Sequence, residues 1–119
     1  MLNNATGFRK VYIACGYTDL RFGIDGLAGM VKEQFKLDPF TPGILFLFCG
    51  RRCDRIKGLL WEEDGFLLLY KRLEAGRFQW PRCHNEAEDI TAQQYTWLMQ
   101  GLAIEQKKVI PKVTPSSPL

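Results

Sequence analysis

The chain has 119 residues, of which 46% are hydrophobic, so it fits one globular domain and is too apolar to be disordered by default. Its net charge of +3 permits a polyanionic partner without requiring one. The longest apolar run, residues 44–49, is too short to cross a bilayer and the first residues lack the layout of a secretion signal, so we expect a cytoplasmic protein without a membrane partner.

The first third of the chain predicts a strand followed by a helix. VYIAC, residues 11–15, has the β-branched and aromatic content of a short strand. Apolar residues then recur at helical spacing from about Thr18 to Phe35, with Thr18 or Asp19 as the N-cap. Three glycines inside this range each cost about 1 kcal/mol relative to alanine. They indicate either a closely packed face or a first turn that is not regular helix.

After residue 43 the spacing of the apolar residues changes from that of a helix to that of β-strands. Four strands are predicted at residues 44–48, 56–62, 66–73 and 77–80. Their connections are short, and the Asp64-Gly65 pair between two apolar runs is a strong hairpin signal. Consecutive strands with tight connections predict an antiparallel meander.

The last third predicts a second helix and a tail. The helix falls within residues 89–102, where Thr91 and Gln94 have the spacing of a capping box. We therefore predict a single α+β domain over residues 1–104: a short N-terminal strand and helix, a four-stranded antiparallel meander and a C-terminal helix. A proline-containing tail, predicted to be mobile, follows over residues 105–119.

The segment RRCDRIK, residues 51–57, concentrates positive charge between two apolar runs, and more cations follow near Trp61, Tyr70, Phe78 and Trp80. Arginine binds phosphate bidentately and aromatic rings stack on bases, so the combination suits a nucleic acid. A solvated charged rim above buried tryptophans would give the same pattern. The candidate nucleic-acid-binding residues are Arg51, Arg52, Arg55, Lys57, Lys71, Arg72 and Arg77, with Asp54 orienting the neighbouring guanidinium groups.

The residues that could carry catalysis or hold a metal lack the required spacing. The cysteines form no C-x-x-C pair, and the adjacent Cys83 and His84 do not readily converge on one tetrahedral ion. Asp19 and Asp25 are six residues apart, which places them on roughly opposite sides of a helix. No glycine-rich phosphate-binding motif is present. We expect no metal, no cofactor and no enzymatic activity, and a nuclease is the weakest of the alternatives.

Several motifs occur in the order seen in one family. They are Gly16-x-Thr18-Asp19-x-Arg21, Asp25-Gly26-Leu27, Arg51-Arg52-x-Asp54-Arg55-x-Lys57, Asp64-Gly65, and Tyr70-Lys71-Arg72-Leu73 through Trp80-Pro81. Over roughly residues 8–110 the chain resembles TnpB, the small accessory protein encoded by the second open reading frame of IS66-type bacterial insertion sequences. The resemblance implies a role in transposition beside a separate transposase, and it implies no catalytic residues here.

Together, the residues and the resemblance predict a non-catalytic accessory factor for DNA transposition. On this hypothesis the basic loop contacts phosphates of the DNA at the element's ends. Because the sequence shows no helix-turn-helix, we expect the transposase to recognise the DNA sequence. The alternative is a protein–protein adaptor without DNA contact, which docks the transposase, another element-encoded protein or a second copy of the chain. The near-continuous apolar run in FLLLYKRL, residues 66–73, favours that alternative.

Overall fold

The computed structural model describes residues 7–82 and 86–105, together with Ile110 and Val113. Within these residues the chain forms one mixed sheet whose spatial order is β4-β3-β2-β1-β5. β1 and β2 are parallel, and every other neighbouring pair is antiparallel. The predicted α+β class is confirmed. The strands are β1 Lys10–Ala14, β2 Ile44–Cys49, β3 Arg55–Trp61, β4 Phe66–Arg72 and β5 Ala87–Ile90.

A helical crossover explains why β1 and β2 run in the same direction. Two parallel strands cannot be joined by a tight turn, so the chain returns across one face of the sheet. Helix α1 makes this return: it is α-helical over Ile24–Gly29 and continues as a wider π-helical segment over Met30–Gln34. Its buried residues Leu27 and Val31 pack in one cluster with side chains from β2 and β3.

Helix α1 begins later than the sequence predicts. The prediction that it starts near Thr18 is wrong, because Gly23, with φ −91° and ψ −160°, is still extended. Thr18 does not cap a helix; its backbone N–H donates to the carbonyl of Cys49 at 2.8 Å. Leu20 lies in the loop before α1 but packs on the same cluster as Leu27. Its sequence spacing from the helical residues therefore fits a helix, although Leu20 is not helical.

The predicted four-stranded meander is also corrected. The β2-β3-β4 meander has three strands, and the proposed fourth strand, residues 77–80, pairs with none of the strands that the structure describes. Instead, residues 77–81 form a segment, here called the strap, that buries Phe78 and Trp80 in a second cluster. Trp80 Nε1 donates to the Ala14 carbonyl at 2.8 Å. Because every second residue of the strap is buried, its sequence shows the alternation typical of a strand, although it pairs with none of the described strands.

The second helix covers the other face of the sheet. Helix α2 spans Ala92–Met99, and the predicted capping box is confirmed: Thr91 and Gln94 exchange two hydrogen bonds at 2.9 and 3.1 Å. Tyr95 and Leu98 are fully buried in the cluster that also contains the strap. Strand β5 ends just before the Thr91 cap, so residues 89 and 90 of the predicted helical range 89–102 belong to this strand.

Both faces of the sheet are therefore covered, which explains the apolar run in β4. Side chains alternate along a strand, so Phe66 and Leu68 pack on the cluster of α1 while Leu67 and Leu69 pack on the cluster of α2. In the described part of the chain, no helix is long and apolar enough to cross a membrane. Cys83, His84 and most of the predicted tail lie outside the described residues.

Candidate nucleic-acid interface

The parallel arrangement of β1 and β2 brings two loops to the same end of the sheet. The loop after β1 carries Tyr17, and its backbone is held from both sides. On one side the Thr18 N–H donates to Cys49 of β2, and on the other the Gly16 N–H donates to Pro81 of the strap, each at 2.8 Å. Gly16 has φ +79°, a conformation that glycine adopts without strain. Tyr17 is thus held between β2 and the strap.

The loop after β2, residues 50–54, carries the basic motif and is equally constrained. The Cys53 N–H donates to the Gly50 carbonyl at 3.0 Å and closes a turn around Arg51 and Arg52. The residue after β4 and the strap anchor the end of this loop, since the Leu73 N–H donates to the Asp54 carbonyl and the Phe78 N–H to the Cys53 carbonyl, both at 2.7 Å. We call residues 50–55 the arginine loop.

Gly50 permits the close approach of the two loops. A Cβ atom at this position would lie 3.1 Å from Cδ1 of Leu20. This separation is tighter than an ordinary carbon–carbon contact, so a larger residue would require the Leu20 side chain to shift by a few tenths of an ångström. The glycine therefore contributes to the position of the arginine loop beside Tyr17.

Two grooves open on either side of the arginine loop, and Tyr17, Arg51 and Arg52 line both of them. The larger groove, of about 1030 Å³, runs along the strap and is here called the strap groove. The smaller one, of about 540 Å³, is here called the tyrosine groove because Tyr17 and Tyr70 lie on it. The charged residues of the strap groove are Arg51, Arg52, Arg77, Arg82, Glu86, Glu88 and Glu105. Those of the tyrosine groove are Asp19, Arg21, Arg51, Arg52, Asp54 and Arg55.

Both grooves carry an excess of positive charge. Four arginines face two aspartates in the tyrosine groove, and four arginines face three glutamates in the strap groove. Among the described residues, no salt bridge includes Arg51, Arg52 or Arg77. These three guanidinium groups are therefore available to an anion.

The structure separates the remaining predicted cations. Lys57 donates from Nζ to the Phe22 carbonyl at 2.9 Å, so it ties β3 to the chain just before α1. Arg72 forms a salt bridge with Glu74 at 2.9 Å, and this contact raises the pKa of Arg72. Lys71 pairs with Ile56 and so lies on the α2 face of the sheet, opposite to its neighbour Arg72. The seven predicted cations do not form one continuous ridge.

Arg55 occupies a more complex position. It lies directly opposite Arg72 in the β3-β4 register, where two like charges are unfavourable. Asp54 offsets this repulsion: its Oδ1 lies 3.6 Å from Nε of Arg55. No hydrogen bond joins these two atoms, and both are buried. Asp54 thus contacts the guanidinium electrostatically, and an orienting role for it remains a proposal.

The predicted set of binding residues leaves out three residues of the interface: Tyr17, Arg21 and Arg82. Arg82 lies over the ring of Tyr17, with 5.6 Å between the guanidinium carbon and the ring centre. Arg21 and Asp19 form a fork-like pair with contacts of 2.7 to 3.1 Å, and these hydrogen bonds lower the pKa of Asp19 to about 2. The motif Gly16-x-Thr18-Asp19-x-Arg21 contains Arg21, so it was the available signal for that residue, whereas Tyr17 stands at an unspecified position of the motif.

Of the predicted aromatic residues, Tyr70 is the one that the interface exposes, whereas Phe78 and Trp80 line the strap groove with little exposed surface. Phe78 and Trp80 are buried in the core. Trp61 lies at the opposite end of the sheet, where its ring contacts Phe66 at 4.9 Å and Phe40 at 5.0 Å between centres. Tyr70 is 54% exposed and lines the tyrosine groove.

Potential metal ligands do not cluster in the described part of the chain. The described residues contain no group of three or more histidine, cysteine, aspartate or glutamate side chains that could hold an ion. The Cys49 thiol is buried, and burial first, then the neighbouring Cys53, raises its pKa, so it is not a poised nucleophile. Cys83 and His84, the adjacent pair weighed above as possible metal ligands, lie outside the described residues.

Comparison with known proteins identifies the relatives of this chain. A family model described as "IS66 Orf2 like protein" matches residues 9–109. The chain is 40% identical over 93 residues to a Sinorhizobium fredii protein described as "Uncharacterized protein y4hO", covering 78% of this chain and 80% of the relative. It is 30% identical over 116 residues to "Uncharacterized protein y4jC" of the same species, covering 98% and 97%. No solved structure matches.

Proposed function

The chain belongs to the IS66 Orf2-like family, whose members have an accessory role in transposition, and on that premise we propose that it acts by binding DNA through the arginine loop. Arg51, Arg52 and Arg55, assisted by Arg77, would contact backbone phosphates at the ends of the element. The family match supplies the accessory role. The DNA contact is our own inference from the charge and shape of the interface.

The observation that carries this proposal is the fixed presentation of unpaired arginines. Arg51 and Arg52 are exposed, and no described acid pairs with either one. Backbone hydrogen bonds hold the loop that carries them, so little backbone freedom is lost when the guanidinium groups meet phosphates. Arginine also matches phosphate geometry through paired N–H donors.

The proposed role is non-catalytic and does not include reading of base sequence. Helices α1 and α2 each lie against a face of the sheet, and no residue of either helix lines the two grooves. Sequence recognition in the major groove usually requires a helix or a β-ribbon that can enter it. We therefore assign the choice of element ends to the transposase and the backbone contacts to this chain.

The salt dependence of duplex binding tests the proposal. If Arg51, Arg52, Arg55 and Arg77 neutralise about four phosphates, the slope of log affinity against log salt is expected to be about −3.6. Fluorescence anisotropy with a labelled duplex from the element's end, between about 50 and 200 mM salt, measures this slope. Absence of duplex binding at low salt, or an affinity that salt does not change, would contradict the proposal.

A specific observation supports the adaptor as a second candidate. Strand β4 ends the sheet, and none of the described strands pairs with its outer edge. Such an edge can accept a strand from another protein through main-chain hydrogen bonds. A pull-down of the transposase with this chain, performed after nuclease digestion of all DNA, tests this function. Capture that survives digestion supports the adaptor, and capture that requires DNA supports the first candidate.

A further inference from the structure

The two tyrosines of the tyrosine groove are exposed in an unusual setting. Tyr17 is 39% exposed and Tyr70 is 54% exposed, and both line the groove beside Arg51, Arg52 and Arg55. Among the described residues, no aromatic ring stacks on either tyrosine. The groove therefore presents open ring faces and cationic groups side by side.

An intact duplex would not use these ring faces. Its bases are stacked inside the helix, and its convex outer surface offers phosphates and sugars to a protein. The tyrosine groove is instead an open, concave surface of about 540 Å³ with Tyr17, Tyr70 and arginines on its walls. Unpaired nucleotides can enter such a groove, with bases on aromatic rings and phosphates on arginines, because every base has a π face.

Tyr17 already shows the kind of contact that its ring can make. The guanidinium of Arg82 lies 5.6 Å from the ring centre, which is a cation–π contact. This arginine approaches from the strap groove, since Arg82 does not line the tyrosine groove. A base that stacks on Tyr17 would thus lie close to a further positive charge.

Building on the proposed function, we propose that the tyrosine groove binds unpaired nucleotides of single-stranded DNA. Bases stack on Tyr17 and Tyr70, while Arg51, Arg52 and Arg55 hold the phosphates between them. The DNA substrate is then the opened or single-stranded part of an element end, and duplex contacts through the same arginines are weaker.

The test compares the two forms of one DNA sequence. Fluorescence anisotropy measures the affinity of the full chain for a labelled single strand and for the matching duplex at equal salt. We expect the single strand to bind about tenfold more tightly. Tyr70→Leu should weaken single-strand binding about fivefold or more, in the range of base–aromatic stacking, and change duplex binding less than twofold. Tyr70→Phe keeps the ring and should bind like the wild type.

Matched variants separate stacking from a general loss of structure. Phe40→Leu removes an equally exposed ring at the far end of the sheet, so it should leave single-strand binding unchanged. Tyr17→Leu is the second stacking variant and should act in the same direction as Tyr70→Leu. Thermal unfolding of each variant establishes that the compared proteins are folded.

The outcomes distinguish this inference from the function on which it rests. The single-strand inference would be overturned if the duplex binds as tightly as the single strand or more tightly, and if neither tyrosine→leucine variant changes single-strand binding. The proposed function would still hold in that case, provided that duplex affinity depends on the arginines. If the wild type binds neither form of DNA, both proposals fail together.

Discussion

The two ends of the sheet use aromatic residues in opposite ways. At one end, which we call the aromatic end, Phe40, Trp61 and Phe66 contact one another, with ring centres 4.9 to 5.2 Å apart. At the other, which we call the arginine end, Tyr17 and Tyr70 lie among arginines and no described ring stacks on them. Both ends expose ring surface to solvent.

This difference separates stability from binding. Rings that pack on each other gain burial and favourable edge-to-face contacts, worth about 0.5 to 1.5 kcal/mol per pair beyond the buried area. Exposed rings beside guanidinium groups stabilise the fold much less, so they are the ones left for a ligand. The comparison leads to a direct expectation: substitutions at the aromatic end lower stability, and substitutions at the arginine end lower DNA affinity.

The largest expected effect is on stability and follows from removal of Trp61. Trp61→Ala deletes the ring that contacts both Phe40 and Phe66. Because Trp61 is only half-buried, we expect a loss of about 2 to 3 kcal/mol in the free energy of unfolding, below the range for fully buried tryptophan. Urea denaturation measures this loss.

The same variant checks that the two ends are independent. DNA affinity of folded Trp61→Ala should equal that of the wild type, because the ring lies at the end of β3 away from the arginine loop. Trp61→Phe retains a ring and should lose less stability than the alanine variant. A DNA affinity that falls together with stability would show that the two ends are coupled.

The second prediction concerns the arginine end. Replacing Arg51 and Arg52 together by alanine should lower DNA affinity about tenfold or more, which corresponds to about 1.4 kcal/mol. For duplex DNA, the slope of log affinity against log salt should change from about −3.6 to about −1.8, because two of about four phosphate contacts are lost. The free energy of unfolding should change by less than about 0.5 kcal/mol, since both side chains are exposed.

A comparison of Lys71 and Arg52 tests whether DNA affinity depends on the position of a positive charge or only on the net charge of the protein. Each substitution to alanine removes one positive charge, but Lys71 lies on the α2 face of the sheet and lines neither groove. We expect Lys71→Ala to change DNA affinity less than twofold, whereas Arg52→Ala weakens it several-fold. Equal losses in the two variants would mean that net charge, and not the arginine loop, determines binding.

Local signals made part of the fold predictable. The capping box at Thr91 and Gln94 lies within four residues and needs no distant partner, so the sequence identified the start of α2 correctly. The Asp64-Gly65 hairpin likewise connects neighbouring strands. Features that depend on distant contacts were predicted poorly. Leu20 resembled a helical residue because it packs on the cluster of α1 from a loop.

The strap and the interface show the same limitation. Phe78 and Trp80 alternate as they would in a strand, yet both are buried against the core without a partner strand. The adjacent Lys71 and Arg72 point to opposite faces, which the two-residue period of a strand does predict. Tyr17 could not be placed from the sequence, because its position depends on hydrogen bonds to Cys49 and Pro81, far along the chain.

The smallest expected effect comes from Asp19, which pairs with Arg21 at the edge of the tyrosine groove. Hydrogen bonds from Arg21 lower the pKa of this carboxyl from 3.8 to about 2, so it stays charged from pH 5 to pH 8. Asp19→Asn retains an oxygen acceptor for the Arg21 backbone N–H but removes one negative charge. We expect DNA affinity to rise about two- to threefold at low salt, and less as salt screens the charge.

The pH dependence of stability gives this prediction a second measurement. Because the folded pKa of Asp19 lies below its ordinary value, the pair contributes its full stability above about pH 4 and loses it as the pH falls through about 2. Thermal unfolding between these values should therefore be less pH-dependent in Asp19→Asn than in the wild type. If the variant has unchanged DNA affinity but the expected acid profile, Arg21 is a structural partner of Asp19, and the cations that face DNA in the tyrosine groove are confined to the arginine loop.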